Sequence, residues 1–202
     1  MTRAKSYHHR NLRGSLLRAA ISLIAEVGPT AFTLREVARR AGVSHNAPYR
    51  HFRSKDELMA AVAAEGYREL TAAMQRAASG HARAVDRLRH AGLAYIGFAL
   101  QQPEHFAVMF DAPLAAEHGD TVEAPEAKQA FATLVDLVSA SQQEKQLPEG
   151  DSLQFGLLAW TMVHGIAKLA ITGRLPYRTT AGILRFASFV IDQSLPVRKI
   201  SK

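Results

Sequence analysis

The feature that most constrains this fold is the spacing of its apolar side chains. Along nearly the whole chain they recur at i, i+3 and i+4, the repeat of a helix with one buried face, and alternating β-branched runs are absent. Leu12, Leu16, Ala19, Ala20, Leu23 and Ile24 mark a first helix from about Asn11, which Gly28-Pro29 stops. Thr33 caps a short helix through about Ala41, Gly42 turns the chain, and Ser44 caps a second short helix through about Phe52. Ser54 opens a longer helix from Lys55 to about Ala78, with Glu57 placed as in a capping box. Further helices are predicted near 82–101, 104–110, 124–145, 152–172 and 179–193, and the polar stretch 111–123, with Pro113 and Gly119, reads as a loop. The expected fold is all-α: a three-helix helix-turn-helix domain over 1–54, then a helical domain over 55–202. Hydrophobic residues make up 48% of the 202, enough to build a core.

Several function classes fall away. Without cysteine there are no disulfides, thiolate zinc sites or cysteine nucleophiles. No Glu is followed by His three residues on, and there is no His-Glu-x-x-His, Gly-x-Ser-x-Gly or Gly-rich phosphate loop. No catalysis, metal or cofactor is therefore expected. The most apolar run, 155–163, is interrupted by Gly156 and Thr161 and falls short of the ~18–20 residues of a membrane span. No apolar run and cleavage site follow the basic N-terminus, so the expectation is a cytoplasmic protein without a membrane partner.

The charge is unevenly placed. Residues 1–60 hold 11 Lys and Arg against 4 Asp and Glu, a surplus of +7, whereas the remainder holds 14 of each sign. A localised positive surplus suits phosphate binding. The stretch from Thr33 to Lys55 shows how. Val37 and Ala38 face inward, small Ala41 permits close approach, Gly42 supplies the turn and Val43 plugs the gap, leaving the polar start of the second helix outward for a major groove. Thr33 sits at a helix N-terminus, Tyr49 and His51 offer donors to phosphate oxygens, and Lys55 adds a positive charge. His45, Asn46 and Ala47 are placed to read bases; Arg35 and Arg50 reach guanine or, failing that, phosphate. Arg39 and Arg40 are open between DNA contact and a solvated face. The arm with Arg3, Lys5, His8, His9 and Arg10 is open between a basic tail and a minor-groove contact.

These residues resemble a known family. Residues 32–58 are similar to the DNA-binding signature of TetR-type regulators: a capped helix, Ala-Gly-Val-Ser44, Tyr49-x-His51-Phe52 and Lys55. The resemblance implies a double-stranded DNA operator, phosphate contacts from Thr33, Tyr49, His51 and Lys55, base contacts from Arg35, His45, Asn46, Ala47 and Arg50, and repression. Pro48 departs from the pattern, which usually has Leu there; proline in a first helical turn fixes φ and removes a donor. Trp160-Thr-Met-Val-His164-Gly165, with the segment 103–110, resembles one TetR C-terminal type.

The neutral remainder suits a sensor and dimer domain better than an architectural protein, which has little use for it. Tyr95, Phe98, Phe106, Met109, Phe110 and Trp160 could line a cavity for a largely apolar small-molecule effector, with His164 beside them, or serve as ordinary core. Gly156 and Gly165, costly inside a helix, suggest close helix approach; with Leu169, Ile183, Phe186, Phe189 and Val190 they make the last two helices the expected homodimer face or a packed intramolecular one.

Overall fold

The computed structural model of this chain describes residues 11–110 and 124–195, so the basic arm and the stretch expected as a loop lie outside the described residues. The described part is helical, with no strand: α1 Leu12–Val27, α2 Leu34–Arg40, α3 Lys55–Ala78, α4 Ala84–Gln101, α5 Pro103–Phe110, α6 Pro125–Gln143, α7 Ser152–Ile171 and α8 Thr180–Ser194. Most boundaries fall within two residues of those expected from periodicity. Contacts group residues 11–66 and 104–110 into one unit and 67–103 and 124–195 into another. The helix α3 runs through both.

In unit 1, α1 buries Leu16, Leu17, Ala19, Ala20, Leu23 and Ile24, the face its apolar repeat marks. Asn11 caps it by accepting from the Gly14 N–H, and Gly28, at φ 82°, closes it with an N–H to the Ile24 carbonyl. The α2 helix lays Leu34, Val37 and Ala38 inward. Its cap is a full capping box: the Glu36 N–H donates to the Thr33 hydroxyl, and the Glu36 carboxylate accepts from the Thr33 N–H at 2.7 Å. At the start of α3 the Glu57 N–H donates to Ser54, while the Glu57 carboxylate reaches the Arg53 N–H. Arg40 ties α2 to α1 through Ser22 and both oxygens of Glu26.

One expected element differs. In place of a helix from Ser44 to Phe52 the chain makes successive tight turns and a 3₁₀ turn, Pro48–Arg50. The cause is Pro48. It has no N–H to return to the Ser44 carbonyl, which accepts from Ala47 instead; the Arg50 and His51 N–H groups likewise bond three residues back. Pro48 is buried and anchors this turn to the domain.

In unit 2, α4 is the central helix and packs against α6, α7 and α8. Gly92 allows that: a side chain there would meet Val163 at 3.3 Å and Ile191 at 3.4 Å. The N-terminus of α4 lacks a cap of its own. Glu144 accepts from the Ala84 N–H and Gln146 from the Val85 N–H, both at 2.8 Å, so the turn after α6 satisfies the orphan donors. Arg89 joins α4 to Asp192 of α8, and Arg68 joins α3 to Glu126 of α6. The expectation of no segment long and apolar enough for a span is corrected: α7, at 20 residues, meets both criteria. Gly156 and Thr161 do not interrupt it. The helix buries Gly156, Ala159, Val163, Ile166 and Ala167, and it packs against α4, α6 and α8.

Candidate nucleic-acid interface

The turn geometry of unit 1 decides which side chains reach outward. Thr33, Arg35, Ser44, His45, Asn46, Tyr49, Arg50 and His51 are exposed and Ala47 is half-buried. Tyr49 keeps 50% of its surface open although Pro48 beside it is buried, because the 3₁₀ turn sends neighbouring side chains in different directions. The expected readers therefore stand on the surface, within the first 60 residues that hold the surplus positive charge. They are carried by turns rather than by a regular helix.

Two expected phosphate contacts are already engaged. The Lys55 ammonium donates to the Thr30 carbonyl at 2.8 Å and lies 4.2 Å from the Phe32 ring centre. Partial burial pulls its pKa below the usual lysine value. Besides carrying the expected positive charge, Lys55 fastens the segment before α2 to the start of α3. The Thr33 hydroxyl and N–H are both bound by Glu36, whose carboxylate those bonds hold below its ordinary pKa. Arg40 is likewise committed, and its hydrogen bonds hold Glu26 below the usual carboxylate range. Arg39 stays exposed. Sequence reasoning passed over Arg13, Arg18 and Arg53, all exposed, with the Arg13 guanidinium 5.5 Å over the Phe52 ring. The charge count contained them; nothing in their spacing set them apart.

The expected effector set is divided between the units. Tyr95, Phe98, Trp160 and His164 belong to unit 2, and Phe106, Met109 and Phe110 to unit 1. In unit 2 the Tyr95 hydroxyl meets His164 Nδ1 at 2.9 Å, and Trp160 Nε1–H points to the same oxygen at 3.3 Å. Burial pushes the Tyr95 phenol up, so it is a neutral hydrogen-bonding group. Phe131 packs on Trp160 with ring centres 5.8 Å apart. In unit 1, Phe106 and Phe110 pack ring to ring at 4.7 Å, and Met109 lies against Gly66. Beside them sits His105, which the sequence reading missed: it is 4% exposed, neither ring nitrogen has a hydrogen bond among the described residues, and Glu65 is 3.7 Å away. Among the described residues no cluster of three metal-ligating side chains occurs.

The expected dimer residues separate as well. Gly156 is buried, and a side chain there would strike Val135 at 2.8 Å, so its small size serves packing against α6 inside the protomer. Ile183 is also buried within the protomer. Gly165, Leu169 and Phe189 are exposed; Phe186 and Val190 are half-buried, with Phe186 5.2 Å from the Tyr177 ring. Leu153, Leu157 and Leu158, which the sequence reading did not single out, extend the exposed apolar surface of α7.

Comparison with known proteins agrees with this geometry. Residues 16–62 match the model for bacterial regulatory proteins of the tetR family, and residues 88–193 match a tetracyclin repressor-like C-terminal domain. The HTH-type transcriptional repressor Rv3405c of Mycobacterium tuberculosis is 46% identical over 48 residues, a match spanning 24% of this chain and 26% of that protein. Among solved structures, a Rhodococcus sp. RHA1 protein of unknown function is 32% identical over 95% of this chain and 99% of its own, with a TM-score of 0.78. FadR from Bacillus subtilis, solved with stearoyl-CoA, shares the fold at a TM-score of 0.74 and 15% identity, over 91% of this chain and 97% of its own. Such proteins regulate transcription and are not enzymes. A helix-turn-helix unit with its expected readers exposed, a helical second unit and matches to both family models make this chain a member of the TetR family of DNA-binding transcriptional regulators.

Proposed function

We propose that this regulator is a homodimeric repressor that binds a palindromic operator through unit 1 of each copy and leaves it when a small, largely apolar effector binds. The observation that carries the DNA reading is the exposed group of Arg35, His45, Asn46, Tyr49 and Arg50 on the part of the chain that holds the surplus charge. His45, Asn46, Ala47, Arg35 and Arg50 read base edges; Ser44, Tyr49, His51 and the Thr33 end of α2 position phosphates. Such a regulator acts beside the chromosome, in the cytoplasm.

The second copy docks on α7 and α8. Leu153, Leu157, Leu158, Gly165 and Leu169 of α7 are exposed, and Phe189 of α8 is 61% exposed. A methyl group placed on Gly165 would have nothing within 4 Å, which leaves room for a crossing helix. A two-fold pairing would present two readers to two half-sites. In unit 2 the Tyr95–His164–Trp160 group supplies the polar anchor an apolar effector needs. The effector acts through α3, which both units share, by binding one of two conformations better.

The test is selection of bound fragments from the source genome, followed by anisotropy with the captured site. The proposal expects a palindromic site, two chains per site and release by at least one small apolar compound. A single-chain complex, or no release across a broad compound panel, would remove the corresponding half of it.

A further inference from the structure

We propose that a groove between the second half of α3 and α4 binds an amphipathic anion, a medium-chain alkyl carboxylate, with its head at Arg76 and its tail along Gly97 and Phe98. The groove lies wholly in unit 2 and has a volume of about 750 Å³. That size falls within the roughly 300–1,000 Å³ of small-molecule sites.

Gly97 is the telling residue. Glycine inside a helix is unfavourable, and the other buried helical glycines have a visible reason for it. Gly66 faces Met109 and His105, Gly92 faces Val163 and Ile191, and Gly156 faces Val135. Gly97 is buried in the middle of α4, yet a side chain there would meet nothing within 4 Å. Its missing side chain closes no contact. It holds a space open, and that space is the groove.

The groove is polarised. At one end Arg68 is already neutralised by Glu126 at 2.8 Å, and Glu69 beside it repels an anion. About 10 Å along α3, seven residues on, Arg76 has no carboxylate partner among the described residues and lines the other end with His90. The His90 Nδ1–H donates to the Asp86 carbonyl at 2.7 Å, and the His81 ring stacks at 3.7 Å between centres, so the imidazole is fixed in place as a wall of the groove. Ala72, Ala73, Leu93 and Ala94 line the stretch between these ends, and Gly97 and Phe98, seven and eight residues past His90 on α4, carry the apolar surface on toward the far end. A cation at one end, an acid at the other and an apolar stretch between suit a single-headed alkyl anion in one orientation. This site lies apart from the Tyr95–His164–Trp160 group and does not depend on the effector reading.

Calorimetric titration of the full chain with dodecanoate, below its micelle concentration and without DNA, tests the site. One molecule per chain is expected, with a rise in Tm. Gly97→Leu fills the groove and is expected to weaken dodecanoate about tenfold or more while leaving the unliganded Tm unchanged or higher. Gly97→Ala, whose methyl enters open space, gives the same direction in a variant certain to tolerate it sterically. Arg76→Gln is expected to weaken dodecanoate about tenfold and leave neutral dodecanol unaffected. No saturable binding by the wild type, undiminished binding in both Gly97 variants, or equal losses for dodecanoate and dodecanol in Arg76→Gln would overturn the proposal. Because no DNA is present, failure here is distinguishable from failure of operator release.

Discussion

Four arginines of unit 2 and four of unit 1 show two different uses of the same side chain. In unit 2, Arg68, Arg83, Arg87 and Arg89 each meet a carboxylate at 2.6–2.8 Å. These pairs join α3 to α6, brace the start of α4 and join α4 to α8. Hydrogen bonds from the arginines, and from the Ala84 N–H at Glu144, hold Asp86, Glu144 and Asp192 below their usual pKa values. Among the described residues of unit 1 Arg40 is tightly paired, while Arg13, Arg35, Arg39 and Arg50 stand exposed with no carboxylate at ion-pair distance. The same side chain is a structural tie where acids are supplied and a source of outward potential where they are withheld. Whether a carboxylate stands opposite the guanidinium separates the two roles.

The comparison can be broken first at the apolar face of unit 2. Leu157→Glu is expected to prevent pairing of two chains and lower operator affinity about 100-fold or more, although it touches no reader; sedimentation and anisotropy measure both effects. Unchanged affinity would mean that unit 1 binds DNA alone. Next comes Arg50→Ala, expected to relax discrimination at one base pair by roughly 5- to 150-fold, or ~1–3 kcal/mol, read by binding to a panel of single-base operator variants. A uniform loss across the panel would make Arg50 a phosphate contact. Smaller is Lys55→Ala. Because this ammonium is held by Thr30 and Phe32, Tm should fall by a few degrees and all sequences should bind more weakly, with the salt dependence unchanged. A shallower salt dependence would make Lys55 a phosphate contact.

The smallest expected effect concerns pH. A carboxylate whose folded pKa is depressed contributes stability above its unfolded value, near 4, and loses it as pH falls through the folded one. Glu144 is such a group. The urea midpoint should therefore drop between about pH 5 and the acid limit, and Glu144→Gln should flatten that drop. An identical acid limb in the variant would remove Glu144 from the account.

Much of this was legible because helices with one buried face print their period on the chain. The α1 repeat and the small residues around Gly42 needed no coordinates. What escaped was whatever depends on a partner distant in sequence. Gly156 and Gly165 look alike on one helix, but Val135 decides that the first packs inward while the second stays open. Lys55 reads as a free cation until Thr30 and Phe32 are placed beside it. The Pro48 substitution was visible, but its consequence was not: one missing donor replaces a helix with tight turns. The aromatic residues chosen as one pocket divide between units because helical spacing marks burial without saying against what.

The central claim is that unpaired arginines of unit 1, and not the paired ones of unit 2, provide the potential that holds duplex DNA. The direct measurement is the slope of log affinity against log salt for three proteins: wild type, Arg13→Gln/Arg39→Gln, and Arg68→Gln/Glu126→Gln. The expected result is a steep negative slope, reduced in magnitude by about two in the unit 1 variant and unchanged in the unit 2 variant. Equal slopes for wild type and the unit 1 variant, or an equal reduction in both variants, would contradict it.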